Sequence, residues 1–183
     1  MHMNDYRLDD LIGFDLYKKT VGIVGTGKIG AAFSRIMKGF GCNLLAHDIY
    51  ENQELIQETG ITYTSLQNLC KQADVVAVFC PLTPQTKYLF NKESFNWMKP
   101  NAIFINVARG GVVNTRDMID ALNANKFAQA GLDVYENEPN PRKDLLNHSK
   151  IACTPHIGAA TLEAQDRIGE ELAQLIIGQF GML

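Results

Sequence analysis

The stretch Thr20-Val-Gly-Ile-Val-Gly-Thr-Gly-Lys-Ile-Gly, closing at Gly30, decides the architecture of this chain. Its opening TVGIVG is a short apolar run bounded by glycine, the pattern of a strand covered on both faces. Lys28 then opens a helical pattern that continues to about Phe40. Gly25, Gly27 and Gly30 sit in the strand-to-helix turn at the spacing G-x-G-x-x-G. Each has a physical role. Gly25 permits the tight turn, Gly27 admits a pyrophosphate to the backbone, and Gly30 lets helix and strand pack closely. The helix N-terminus offers unpaired N–H groups and a partial positive charge to the phosphates. A second strand, Asn43–Asp48, ends in a carboxylate 18 residues past Gly30, able to accept hydrogen bonds from both hydroxyls of an adenosine ribose. Strand, glycine turn, helix and strand-end acid together predict a dinucleotide-binding α/β unit.

The alternation continues outward. Asn52–Thr59 reads as a helix, Ile61–Tyr63 as a brief strand, and Ser65 as the N-cap of a helix through Lys71. Val75–Cys80 is a strand with no polar alternation, stopped by Pro81 and Pro84. A short helix follows near Lys92–Trp97, then a strand over Ala102–Val107. Asn114, with Asp117 three residues on, starts a helix through Asn125. Gln129–Val134 is a strand, Glu136–Arg142 an acidic loop broken by proline, and Ile151–Cys153 a last short strand. Thr161 opens a long helix to about Ile177, ended by Gly178. Repeated strand–helix units predict a Rossmann-type, doubly wound parallel sheet with helices on both faces. With no repeat, low-complexity segment or linker inside it, 20–183 reads as one domain and 1–19 as a lead-in.

Composition narrows the partners. The 183 residues hold 17 Lys and Arg against 20 Asp and Glu, a formal charge of −3. Basic residues do not cluster beyond Lys18-Lys19, which argues against nucleic acid or an anionic membrane surface as partner. The longest clean apolar run, Val75 to Cys80, is far short of the about 20 residues a membrane span needs. The opening Met-His-Met-Asn-Asp lacks a signal peptide's apolar core, so a cytoplasmic protein is expected. Cys42, Cys70, Cys80 and Cys153 show no metal-ligand spacing. Buried, reduced thiols and no metal are therefore expected.

Chemistry in such a sheet takes place beyond the carboxyl ends of its strands. Arg109 lies there, after the strand ending at Val107, in Asn106-Val-Ala-Arg-Gly-Gly. Asp133 ends a strand in Gly131-Leu-Asp-Val-Tyr-Glu-Asn-Glu-Pro, with Glu138 five residues later, and His156 follows the last short strand in Thr154-Pro-His-Ile-Gly-Ala-Ala-Thr. Singly, each has a plain reading: a surface charge, a solvated acid, a loop histidine. Together they supply what hydride reduction of a ketone needs, namely a proton donor, a group to orient and tune it, and a cation for an anionic substrate.

With these motifs in place, the chain resembles the D-isomer-specific 2-hydroxyacid dehydrogenases from about Gly13 to Leu175. The resemblance implies that Arg109, Glu138 and His156 are the catalytic Arg, Glu and His. It implies NAD as cofactor, contacted through Gly25, Gly27, Lys28, Ile29, Gly30, Asp48, Cys80, Pro81, Thr86, Val107, Ala108, Arg109, Asp133 and His156. The substrate implied is a small 2-keto or 2-hydroxy acid, and the assembly implied is a homodimer. Gly13-Phe-Asp-Leu-Tyr to Gly30, Met37-Lys-Gly-Phe-Gly to Asp48 and Cys80-Pro-Leu-Thr-Pro look most like D-lactate dehydrogenases. The His-Ile-Gly-Ala-Ala-Thr segment is similar to the phosphoglycerate and glyoxylate/hydroxypyruvate branch. Ala159 stands where the lactate enzymes usually carry an aromatic, and Phe79 where a histidine is common. Family members carry a second, substrate-binding domain of on the order of 100 residues, so an isolated cofactor-binding domain, inactive alone, is expected. An NAD(H)-sensing regulatory protein of the same fold is the alternative from another class.

Overall fold

The computed structural model describes residues 13–181. The first twelve residues of the expected lead-in, including the Met1–Asp5 opening, lie outside the described residues. The central strand β1 (Thr20–Val24) is buried along its last four residues, and the helix α1 (Lys28–Gly39) follows it after three residues. Then come β2 (Asn43–His47), α2 (Gln53–Thr59), β3 (Thr62–Tyr63), α3 (Leu66–Gln72), β4 (Val75–Val78), α4 (Lys92–Trp97) and β5 (Ile103–Asn106). The chain continues through α5 (Thr115–Asn123), β6 (Gln129–Leu132), α6 (Lys143–Leu146), β7 (Ile151–Cys153) and α7 (Leu162–Phe180). The seven strands form one parallel sheet in the order β3-β2-β1-β4-β5-β6-β7, the doubly wound arrangement expected from the alternation.

Successive side chains of a strand face opposite sides of the sheet, and β1 divides accordingly between two cores. Val21 and Ile23 pack with Ala31 and Met37 of α1 and Leu55 of α2. Val24 belongs to the larger core on the other side, with Leu69 of α3, Phe95 of α4 and Met118 and Leu122 of α5. That core is centred on aromatic rings. Phe104 lies 4.8 Å from Phe90 and 5.3 Å from Phe95, centroid to centroid, and Phe95 stacks on Phe127 at 5.2 Å.

Helix starts follow the expected polar caps. Ser65 accepts from the Asn68 N–H at 3.2 Å and Asn114 from that of Asp117 at 3.1 Å. The ends differ in places. β4, β5 and β6 stop one or two residues early, at Val78, Asn106 and Leu132, because the chain leaves the ladder there to form loops above the sheet. α5 stops at Asn123 rather than Asn125, since Asn125 takes a left-handed backbone (φ 53°) that a helix cannot continue through. α7 runs through Gly178 to Phe180: an interior glycine costs about 1 kcal/mol against alanine and does not stop a helix. Gly181 caps it, with its N–H on the Ile177 carbonyl at 2.6 Å. α6 and the 3-10 turn Gly110–Val112 have no counterpart among the elements expected from sequence. None of α7's residues is buried among the described residues, so Ile168, Leu172 and Ile176 lie exposed.

Phe104→Ala would empty the middle of the aromatic core. Loss of a fully buried ring costs about 3–5 kcal/mol, and urea unfolding should show the midpoint falling accordingly. A change below about 1 kcal/mol would mean the rings are not tightly packed.

Candidate active site

Every candidate residue lies beyond the carboxyl end of a strand, so strand order sets the order of the site. Asp48 follows β2, the glycine turn β1, Cys80 β4, Arg109 β5, Asp133 β6 and His156 β7. Neighbouring strands are about 4.8 Å apart, which spreads this row over roughly 24 Å. The sheet's order reverses between β1 and β4, and the crevice opens at that point.

At the first end, Gly25 and Gly30 make the tight turn and the close helix–strand packing expected of them. Gly25 has φ 95°, and a Cβ there would lie 2.6 Å from the Cys80 nitrogen. A Cβ on Gly30 would collide with the Gly25 carbonyl oxygen. At Gly27 the space within 4 Å of a would-be Cβ is open. α1 is the one described helix longer than four residues without a capping side chain, and its first turn holds no acid. Its N–H groups and positive dipole end are therefore available to an anion. Asp48 accepts from the Thr26 N–H at 2.6 Å, the Thr26 hydroxyl at 3.1 Å and the Ile49 N–H at 2.7 Å. Next to it, Ile29, Cys80, Pro81, Leu82, Val107, Ala108 and Arg109 line a cleft of about 450 Å³. Burial pushes the Cys80 thiol up to about 11, so it is a neutral wall of that cleft at ordinary pH. Thr86 donates its hydroxyl to the Pro81 carbonyl at 2.6 Å, which shapes the loop bordering the cleft. Open cradle, uncapped helix and strand-end acid fit a dinucleotide.

At the other end, His156 Nδ1 lies 2.8 Å from Glu138 Oε2, and the Tyr135 N–H donates to Glu138 Oε1 at 2.8 Å. The His156 hydrogen bond, then the Tyr135 N–H, hold the Glu138 carboxyl below its ordinary value; burial opposes, and the charges of His156 and Arg109 add. His156 has a left-handed backbone, φ 56°, unusual for a residue with a Cβ. Asp133 holds that turn. Its carboxylate accepts from the Thr154 hydroxyl at 2.5 Å, the Ile157 N–H at 2.9 Å and the Gly158 N–H at 3.1 Å. Burial raises the Asp133 carboxyl, but these donors and the nearby His156 outweigh it and keep it below its ordinary value. Arg109 donates to the Ala108 carbonyl at 2.7 Å and makes no ion pair among the described residues, so its guanidinium stays available to an anion.

Two supporting residues lie inside the quoted motifs but receive no role of their own from sequence reasoning. Asn106, almost fully buried, accepts from the Ala108 N–H and donates to the Arg109 carbonyl, both at 3.1 Å, so it forms the turn that presents Arg109. A polar residue closing an apolar strand is the signal that could have found it. The Tyr135 hydroxyl donates to the Thr154 carbonyl at 2.6 Å and ties the Glu138 loop to the His156 loop; no local pattern announces it.

Residues 1–158 match the D-isomer specific 2-hydroxyacid dehydrogenase, NAD binding domain. A glyoxylate reductase of Pyrococcus furiosus is 42% identical over 166 residues, covering 91% of this chain and 49% of that protein. The apo structure of D-lactate dehydrogenase from Escherichia coli superposes with a TM-score of 0.88 at 37% identity, covering 98% of this chain and 57% of the other. A D-lactate dehydrogenase of Aquifex aeolicus complexed with NAD and lactic acid gives a TM-score of 0.83 at 31% identity, over 91% and 55%. The chain thus spans about half the length of the relatives it matches.

The lowered carboxyls of Asp133 and Glu138 set a pH dependence. A group whose folded value is depressed stabilises fully above its unfolded value, about 4, and loses that contribution as pH falls through the folded one. Asp133→Asn should lower Tm at pH 7 and make its decline between about pH 5 and pH 3 shallower than in the parent. Parallel declines would show that Asp133 does not couple to folding.

Proposed function

The chain belongs to the D-isomer-specific 2-hydroxyacid dehydrogenase family through its NAD-binding domain, and from that membership we propose that it serves an NAD-dependent interconversion of a small 2-keto acid and its D-2-hydroxy acid. The observation that carries this reading is the 2.8 Å His156–Glu138 pair, on the same sheet edge as the nucleotide cradle and Arg109, which has no ion pair among the described residues. NAD(H), when bound, supplies or accepts the hydride at the substrate C2. Glu138 occupies His156 Nδ1, which leaves Nε2 as the ring atom that gives a proton to the developing alkoxide, or takes it back in the oxidation. Arg109 offers a planar fork to the substrate carboxylate and stabilises charge gathering on the carbonyl oxygen. Asp133 and Glu138 position His156; Gly25, Gly27, Lys28, Ile29, Gly30 and Asp48 hold the nucleotide, with Cys80, Pro81, Val107 and Ala108 along the cleft. In this reading 20–183 is the NAD-binding domain and 1–19 its lead-in.

Pyruvate and D-lactate are the first substrate pair of this proposal, supported by the likeness to the Escherichia coli enzyme and by the lactate-like segments around Gly30, Asp48 and Cys80. Glyoxylate is the alternative acceptor, supported by the Pyrococcus relative. We place the protein in the cytoplasm as a homodimer; no described helix is long and apolar enough to cross a membrane. The uncovered Ile168, Leu172 and Ile176 of α7 support association.

NADH oxidation with pyruvate and with glyoxylate, in a protein carrying this chain, tests the chemistry. His156→Ala should lose about 10²- to 10⁴-fold in turnover while still binding NADH. Undiminished turnover would remove His156 as the acid and base. Light scattering tests the assembly: a mass near twice the 20.3 kDa of one chain is expected, and a monomer at high concentration would exclude the dimer.

A further inference from the structure

Asp48 is anchored from behind by a chain of hydrogen bonds that starts on another element. The Asn52 N–H, at the N-cap of α2, donates to the Tyr63 hydroxyl at 3.0 Å. Tyr63 donates in turn to the Thr26 hydroxyl at 2.8 Å, and Thr26 donates to Asp48 Oδ2 at 3.1 Å. The direction of this chain is determined at its first link. An N–H can only donate, so the Tyr63 oxygen accepts and its single proton is left to point at Thr26. Thr26 Oγ1 then has a lone pair engaged and its own proton turned to Asp48. Such chains polarise each link, and Thr26 is only 5% exposed, where water competes little. The other carboxylate oxygen is tied to the Ile49 N–H.

From this we infer that Tyr63 and Thr26 are positioning residues that lock the Asp48 carboxylate in one rotamer and thereby set the preference for a cofactor with a free ribose 2′-hydroxyl over one with a 2′-phosphate. The inference rests on the reading of Asp48 as the ribose acceptor. A locked carboxylate presents its charge to a 2′-phosphate about 4 Å away and cannot turn aside. Without the hydroxyl chain the carboxylate keeps only its main-chain donors, the Thr26 N–H at 2.6 Å and the Ile49 N–H at 2.7 Å, and gains freedom to shift from the phosphate, so repulsion relaxes while ribose hydrogen bonding weakens. Tyr63 reaches the site from β3, a strand of two residues at the sheet edge. Among the described residues its hydroxyl bonds only the Asn52 N–H and the Thr26 hydroxyl.

Calorimetric titration of the 183-residue chain with NADH and with NADPH tests this. Tyr63→Phe should weaken NADH about two- to tenfold, the worth of one hydrogen bond. The NADH-to-NADPH affinity ratio should narrow by a similar factor. Thr26→Val should do the same, and Thr26→Ser, which keeps the hydroxyl, should restore the parent ratio. A purely structural role would lower Tm or weaken both cofactors equally, leaving the ratio untouched; that result in Tyr63→Phe overturns the inference, and Tyr63→Phe decides alone should Thr26→Val not fold. Asp48→Ala separates the two readings. If it narrows the ratio while Tyr63→Phe does not, the positioning chain is wrong and Asp48 stands; if Asp48→Ala leaves the ratio unchanged, both fall.

Discussion

Helix α1 meets strand β1 backbone to backbone, with Gly30 so close to the Gly25 carbonyl that no side-chain carbon fits between them. That contact puts the first turn of α1 directly over the end of the central strand. β2 and β4 pair on either side of β1 and bring Asp48 and Cys80 to flank the same turn. The turn is crowded from outside as well, since Gly25 lies against the Cys80 backbone. Helix, sheet and crevice therefore share one register, and a displacement of α1 would move its uncapped N–H groups away from the strand-end acid Asp48.

The two ends of the crevice are constructed on the same plan. In each, a carboxylate at a strand end gathers main-chain N–H groups from a loop that must keep an uncommon shape. Asp48 ties the glycine turn through Thr26, and Asp133 ties the histidine turn through Ile157 and Gly158. A left-handed backbone at a residue such as His156 costs on the order of 1–3 kcal/mol, so it persists only where neighbours over-determine it. Asp133 and Thr154 supply that constraint on one side, and Glu138 holds the ring on the other. The result is a side chain that projects from a loop with little freedom to search, a preorganised arrangement of the kind the proposed proton transfer requires.

Much of this is legible in the chain itself, because the strongest signals are local. Unbroken apolar runs mark Val75–Val78 as buried on both faces, and Asn114 and Ser65 mark helix starts by their own chemistry. Ends are harder. Whether Gly178 terminates α7 depends on the residues after it, and whether a strand continues past Val78 depends on a neighbour across the sheet. The motif residues Arg109, Asp133, Glu138 and His156 are readable from strand-end spacing, and the fold brings them to one edge. Tyr63 is not, because its importance comes from a hydroxyl meeting Thr26 across 37 positions of sequence. Tyr135 is similar: as an ordinary aromatic beside an acidic loop it shows nothing of its bond to the Thr154 carbonyl.

The sheet's two margins have one further consequence. β3 has two residues and β7 three, so the described sheet ends on both sides in strands too short to template another. A long, flat margin exposes a row of unpaired N–H and C=O groups that recruits foreign strands and seeds fibrils. Here that row is nearly absent, and the crowded expression conditions that drive sheets to zip together find little to hold. What the described residues offer at the surface instead is largely helix, as at Ile168, Leu172 and Ile176, where side chains rather than backbone face a neighbour.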